Sequence, residues 1–224
     1  GAIEFNNACR ESIFTYLKEW EEMTERIGYW IDLNDAYVTY HNEYIESVWW
    51  ALKNFFDKGL IYKGFKILPF CPICESPLSS HEVAQGYQDL KDPSVFVKFH
   101  ISEGEYKDSD FLVWTTTPWT LPSNAALAVN PDVVYLQIKT ENDDKFILAK
   151  ERIEIITEKY EILKEINGKD LENIPYQRLF DFFKSDKKAF YVTLGDFVTT
   201  EEGTGIVHIA PSYGEDDYQT GLKY

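Results

Sequence analysis

The apolar positions in the first third of the chain recur at helical spacing. Between residues 9 and 27, Ile13, Tyr16, Leu17, Trp20, Met23 and Ile27 fall on one face, which predicts a single amphipathic helix with Asn7 as its N-cap and Gly28 as its stop. Between 43 and 58, Ile45, Val48, Trp49, Leu52, Phe55 and Phe56 share a face in the same way, with Asn42 as the cap and Gly59 ending the run. Both stripes read as faces turned toward a core. Beyond Tyr62 the period changes. A loop rich in proline and cysteine (68–80) leads into short β-type runs at 95–101, 111–116, 125–129, 133–140, 145–149, 190–198 and 205–209, separated by clusters of Asn, Asp, Gly and Pro. Residues 151–159 read as a short helix, and an acidic trio at 215–217 opens another. Many short strands with little helix among them predict an α+β chain: a mainly antiparallel, β-barrel-like sheet with flanking helices, preceded by a helical segment. On this pattern the chain divides into 1–67, 68–90 and 91–224.

Hydrophobic residues make up 44% and aromatics 16%, far more than disordered chains carry, so the whole chain reads as globular. No apolar run approaches the roughly 18 residues of a membrane span, and no basic-then-apolar leader opens the sequence. The expectation is a soluble chain with no membrane partner. Three cysteines, two of them three positions apart, make a poor disulfide framework and point to a reducing compartment, with the cytoplasm the expected location. Charge narrows the partners. With 22 Lys and Arg against 38 Asp and Glu, the net charge is −16, and phosphates are met mostly by Lys and Arg. By itself the chain should hold a polynucleotide weakly, and the charge alone describes an acidic domain that never meets RNA.

Three segments carry candidate chemistry. In Trp114-Thr115-Thr116-Thr117-Pro118-Trp119-Thr120-Leu121-Pro122, three consecutive hydroxyls close a β-type run, and two prolines fix the backbone that follows without donating N–H groups. Such a corner can present hydroxyls and free amides to a small polar ligand; the plainer reading is threonine as an ordinary strand residue before a turn. In Gly203-Thr204-Gly205-Ile206-Val207-His208-Ile209-Ala210-Pro211, glycines allow close backbone approach and a histidine closes the strand, ahead of Gly214-Glu215-Asp216-Asp217-Tyr218. The plainer readings are a hydrogen-bonded strand-end histidine and an acidic helix start. The third is Cys71-Pro72-Ile73-Cys74, whose two thiolates are half of the tetrahedral set that a structural zinc requires. A redox role has no thioredoxin-type strand and helix around it.

The threonine segment, continued through Ser123-Asn124-Ala125-Ala126-Leu127, resembles the threonine-rich element of the editing domain in isoleucyl-tRNA synthetases. The glycine–histidine segment is similar to the part of that domain in which a His and, nine positions on, an Asp line the pocket; here these are His208 and Asp217. The likeness extends from Tyr29-Trp30-Ile31-Asp32 through Tyr44-Ile45-Glu46-Ser47-Val48-Trp49-Trp50 to the end of the sequence. Ile209 and Glu215 depart from the residues usual at those positions. Thr117 stands where valyl and leucyl relatives typically carry Arg, which favours the isoleucine branch.

The resemblance implies a helical lead-in from a synthetase body (1–67), a zinc-ribbon-like loop (68–90) and an editing domain (91–224). It further implies hydrolysis of valine misattached to tRNA(Ile). The ligand would be the acceptor end of that tRNA, and the remainder of the synthetase would be a partner. Thr115, Thr116 and Thr117 would offer hydroxyls, Trp119 would shape the pocket wall, and Asp217 would hold the substrate ammonium. His208 would set the size limit, hydrogen-bond the substrate or act as a base, the size limit being preferred. No Ser or Cys nucleophile with a paired base is seen, so no covalent intermediate is expected. Zinc on Cys71 and Cys74 would be incomplete here, because the family's second cysteine pair follows the editing domain. Neither an HIGH-type nor a KMSKS-type motif occurs, so ATP and magnesium are expectations for a longer parent only, and aminoacyl-adenylate formation is not expected. Two other readings remain open on sequence: a free-standing hydrolase acting in trans, and a non-catalytic zinc-ribbon module that docks RNA or protein.

Overall fold

The computed structural model describes residues 1–182 and 186–224. The chain forms two compact units, Gly1–Gly64 and Phe65–Tyr224.

The first unit carries three helices, α1 (Ala2–Ile13), α2 (Leu17–Arg26) and α3 (Asn42–Asp57). The helix predicted to run unbroken from 9 to 27 is interrupted between α1 and α2, where Phe14 and Tyr16 leave helical geometry (φ −96°, ψ 7° and φ −114°, ψ 16°). The run Ile13-Phe14-Thr15-Tyr16 is wholly β-branched or aromatic, and such side chains lose rotamer freedom against the preceding helical turn. Asn7 lies inside α1 rather than capping it, and Asn42 is the first residue of α3, with His41 in the cap position. The predicted stops are present: Gly28 (φ +75°) and Gly59 (φ +69°) follow α2 and α3 in the left-handed region. Edge-on ring pairs join Phe14 to Tyr40 and Tyr37 to Tyr44, with centroids 5.9 and 4.9 Å apart. None of residues 1–64 is buried. The two apolar stripes therefore face no core within this unit, contrary to the sequence expectation.

The second unit opens with a small antiparallel hairpin, β1 (Phe70–Cys71) and β2 (Ser76–Pro77), whose turn holds the C-x-x-C. The short helix α4 (Ser80–Gln85) follows, closed by a reciprocal cap between Ser79 and Glu82. Then come β3 (Val95–His100), β4 (Asp110–Thr115), β5 (Ala126–Val129), β6 (Val134–Thr140), β7 (Lys145–Ala149), β8 (Tyr160–Asn167), β9 (Tyr191–Leu194), β10 (Ile206–Ile209) and the helix α5 (Glu215–Lys223). The residues expected as a helix after β7 form a 3-10 turn, Lys150–Ile155.

The α+β class stands, but the strands do not close into one barrel among the described residues. They form a five-stranded sheet in the order β3-β4-β7-β6-β8 and a three-stranded sheet in the order β10-β5-β9. Most pairings are antiparallel; β4 with β7 and β5 with β9 are parallel. The chain leaves the first sheet after β4 at a 3-10 turn, Pro118–Ser123. Prolines in that turn cannot donate to a ladder, and β5 starts the second sheet instead.

The alternation of strand side chains explains the packing. Phe111, Val113, Tyr135 and Ile147 on one face of the larger sheet join Leu127, Val129, Val192 and Ile206 of the smaller one in a shared core. Leu112, Leu136, Ile138, Phe146 and Leu148 point the other way and are covered by Ile153, Ile155 and Ile156 around the 3-10 turn. A third cluster, Ala126, Ala128, Val198 and Ile209, backs the smaller sheet. The segments carrying Thr115 and His208 thus lie on strands with buried neighbours on both sides.

Candidate active site

Thr115 ends β4, paired with Val95 of β3, and is buried. Its Oγ1 accepts the amide of Thr117 at 3.1 Å and lies 3.2 Å from the Thr117 hydroxyl. This local bond turns the chain out of the strand. Pro118 then starts the 3-10 turn. In that turn both the amide and the hydroxyl of Thr120 donate to the carbonyl of Thr117, at 3.1 and 2.9 Å. Asn124 braces the end of the turn: its Nδ2 donates to the Ala126 carbonyl (2.8 Å) and its Oδ1 accepts from the Tyr176 hydroxyl (2.6 Å). Burial pushes the Tyr176 phenol far above its ordinary range, so it is a permanent donor there.

β10 supplies His208, opposite Leu127 of β5. The side chain is enclosed, 7% exposed. Its Nε2 lies 2.9 Å from the Thr120 hydroxyl, and its Nδ1 is buried without a partner among the described residues. Burial lowers its pKa below the usual histidine value, against a smaller opposing pull from the negative charge of Asp217. The ring is therefore neutral at physiological pH.

Asp217 is the third residue of α5, whose N-cap is Gly214. Its Oδ1 accepts the buried amide of Ala210 at 2.6 Å, tying the exit of β10 to the start of the helix. A Cβ on Gly214 would fall 2.3 Å from Asp217 Oδ2, so glycine leaves room for this carboxylate. The resemblance places Asp217 in the pocket lining as the holder of a substrate ammonium. The carboxylate is half engaged by the backbone, with Oδ2 left for another partner.

Thr115 at the end of β4, Thr117 at the head of the 3-10 turn, His208 on β10 and Asp217 on α5 are thus linked by the Thr120 hydroxyl–imidazole contact and by the charge of Asp217 on the ring. Thr116 is partly buried, and Trp119 stands 70% exposed on the 3-10 turn. Thr120 was missed on sequence. Its signal is positional: three residues after Thr117 in a turn, its hydroxyl folds back on that carbonyl. A cavity of about 590 Å³ is lined by Ala126 and Ile209, with Tyr191, Thr193, Thr220 and Tyr224. It contains none of the site residues, so the chemistry is better located by the polar contacts than by that volume.

The Cys71–Cys74 turn closes with the Cys74 amide donating to Cys71 Sγ at 3.3 Å, which together with the Ile73 amide lowers the Cys71 pKa. Two thiolates do not complete a zinc site. Among the described residues no group of three or more His, Cys, Asp or Glu gathers to hold a metal, and His81 is bonded to Gln85 at 2.8 Å. Nor, among those residues, is any helix long and apolar enough to cross a membrane.

The chain belongs to the class I tRNA synthetases of the isoleucine, leucine, methionine and valine group, whose family model matches residues 1–202. Within that class its similarity is to isoleucine–tRNA ligases. It is 54% identical to that of Clostridium acetobutylicum over all of this chain and 21% of the relative, and 52% identical to that of Clostridium tetani over 97% and 21%. The chain thus spans about a fifth of the length of the curated relatives it matches. A crystal structure of the P. knowlesi cytosolic leucyl-tRNA synthetase editing domain overlays more loosely, with a TM-score of 0.44 and 15% identity, over 58% of this chain and 65% of that one.

Proposed function

We propose that the Phe65–Tyr224 unit is the editing domain of an isoleucyl-tRNA synthetase and hydrolyses the ester of valine misattached to tRNA(Ile). Valine differs from isoleucine by one methylene. From synthetases of this specificity the difference is known to be worth only about 1–3 kcal/mol in a hydrophobic pocket, so accuracy requires a second site. An aminoacyl ester is already labile, and holding a water and stabilising the developing oxyanion suffice to speed its cleavage. The observation that carries the reading is that the threonine turn is joined to His208 by the Thr120 hydroxyl, while Asp217, tied to the exit of the same strand through the Ala210 amide, acts on that ring by its charge.

In this reading Asp217 Oδ2 holds the α-ammonium of the misattached amino acid. The hydroxyls of Thr116 and Thr117 face the ester or the water, and Thr115 shapes the turn that presents them. Trp119 flanks the acceptor end. Neutral His208 limits the side chain that fits. The acceptor end of tRNA(Ile) and the remainder of the synthetase are the partners; ATP and magnesium belong to the ligase reaction of a longer protein, without its motifs here. Cys71 and Cys74 contribute half of a zinc site. The test replaces His208 with Ala in a full-length ligase. Hydrolysis of Ile-tRNA should appear while Val-tRNA hydrolysis persists. Loss of Val-tRNA hydrolysis with no gain on Ile-tRNA would make His208 a participant in the chemistry instead.

A further inference from the structure

The hydrogen-bond pattern around Thr120 decides which nitrogen of His208 carries the proton. A threonine hydroxyl has one hydrogen to give. Thr120 Oγ1 lies 2.9 Å from the Thr117 carbonyl, which can only accept, and 2.9 Å from His208 Nε2. If the hydrogen went to Nε2, two oxygen acceptors would face each other at 2.9 Å with nothing between them. Given to the carbonyl, it leaves the Oγ1 lone pairs free for an N–H from the ring, and both contacts become bonds. The other nitrogen points the same way: among the described residues Nδ1 is buried with no partner, and an unpaired N–H in that position costs more than an unpaired lone pair.

We propose that Thr120 is the positioning residue of this site, fixing His208 as the Nε2–H tautomer so that the ring meets an incoming ligand only as an acceptor, through Nδ1. The donor it would take is an alkylammonium or a water, and Asp217, whose charge acts on the same ring, would attract the first of these. Thr120 reaches the reaction only through the imidazole. The one hydrogen of its hydroxyl is committed to the Thr117 carbonyl and one lone pair to Nε2, so it has no proton to offer a substrate. The same two bonds connect the threonine turn to β10, and a change in the turn would therefore be felt at His208, 88 positions along the chain. The inference rests on the editing reading for its consequence, but not for the tautomer itself.

The experiment separates the two. ¹⁵N NMR of the histidine rings in the whole 224-residue chain, assigned with His208→Gln, should show a proton-bearing Nε2 and a pyridine-type Nδ1 for His208. Thr120→Ser should keep that signature, whereas Thr120→Val, which has the shape without the acceptor, should lose it. A wild-type ring protonated at Nδ1 overturns the proposal even if the valine variant does not fold, as does a folded Thr120→Val protein with its tautomer unchanged. In full-length ligase, Thr120→Val should let Ile-tRNA be hydrolysed while Val-tRNA hydrolysis persists, in the same direction as His208→Ala because Thr120 acts through the ring, and Thr120→Ser should restore the discrimination. If the wild-type enzyme does not deacylate Val-tRNA, the editing reading fails while the tautomer result stands on its own.

Discussion

Residues 1–64 and 65–224 are built from similarly apolar sequence and end up in opposite states. The first unit has three helices with well-marked apolar stripes and no buried residue, leaving Trp30 at 96%, Trp49 at 72% and Trp50 at 71% exposed. The second closes Phe99, Phe111, Leu127, Tyr135 and Ile147 completely between two sheets. Amphipathic spacing accounts for the helices in both senses of the word: it says which face is apolar, and nothing about what covers it. A sheet is different, because strands with apolar residues at consecutive positions need cover on both faces, and the second unit supplies it from its own chain. Exposed apolar surface on the scale of the first unit marks a contact region rather than an ordinary exterior.

The sharpest way to break this comparison is to make the same kind of deletion in each unit. Leu127→Ala removes a fully buried side chain and should cost about 2–5 kcal/mol, whereas Trp49→Ala should stay within about 0.5 kcal/mol, as exposed positions do. Urea denaturation followed by circular dichroism measures both. Equal losses would mean that α3 is packed in solution against something that buries its stripe.

Asp217 probes the closed unit at its functional edge. Asp217→Ala strips the buried Ala210 amide of its acceptor and should cost about 1–3 kcal/mol of stability. Losing the charge partner of a bound ammonium should cost about 2–5 kcal/mol in deacylation, a fall of roughly 30-fold to several thousand-fold. Asp217→Asn retains an acceptor for Ala210 and should melt near wild type while losing most of the activity. Should the Asn variant stay fully active, the carboxylate serves only as a helix brace.

The buried histidine gives a pH signature that an open unit cannot. Above its ordinary pKa, His208 is neutral both folded and unfolded. As the pH falls below about 6.5 the unfolded chain takes up the proton first, because the folded pKa is lowered by burial. Stability therefore declines as the pH drops from there to the folded pKa, then levels. His208→Gln should lack this component. Melts between pH 7.5 and 5.5 test the difference, and parallel curves would remove the claim that the ring is enclosed.

The comparison blurs at 65–94, which belongs to the second unit yet buries nothing. Its C-x-x-C should therefore bind zinc below one equivalent per chain, since two thiolates leave the tetrahedral set half filled. One tightly held zinc by elemental analysis would contradict this.

What was legible on sequence was whatever depends on near neighbours. The spans of β3 to β7 and β10 follow from alternation and turn residues, and both helix stops follow from glycine. The break at Phe14–Tyr16 was not, because the apolar spacing continues through it while the local side chains oppose helix. β8 was missed because, apart from Ile166, it is an edge strand with little burial to mark it. The split into two sheets depends on parallel pairings between strands far apart in sequence, for which no local pattern speaks. The site divides in the same way. Thr115 to Thr117, His208 and Asp217 stood out by segment, but the role of Thr120 comes from a partner 88 positions away, and the bond from Ala210 to Asp217 comes from the way β10 meets α5.

The central claim is that the second unit edits by size. Deacylation of Val-tRNA(Ile) and Ile-tRNA(Ile), measured side by side with full-length ligase and its Asp217→Asn variant, tests it most directly. The account predicts rapid release of valine, retention of isoleucine, and loss of valine release in the variant. Equal release of both amino acids, or of neither, would contradict it.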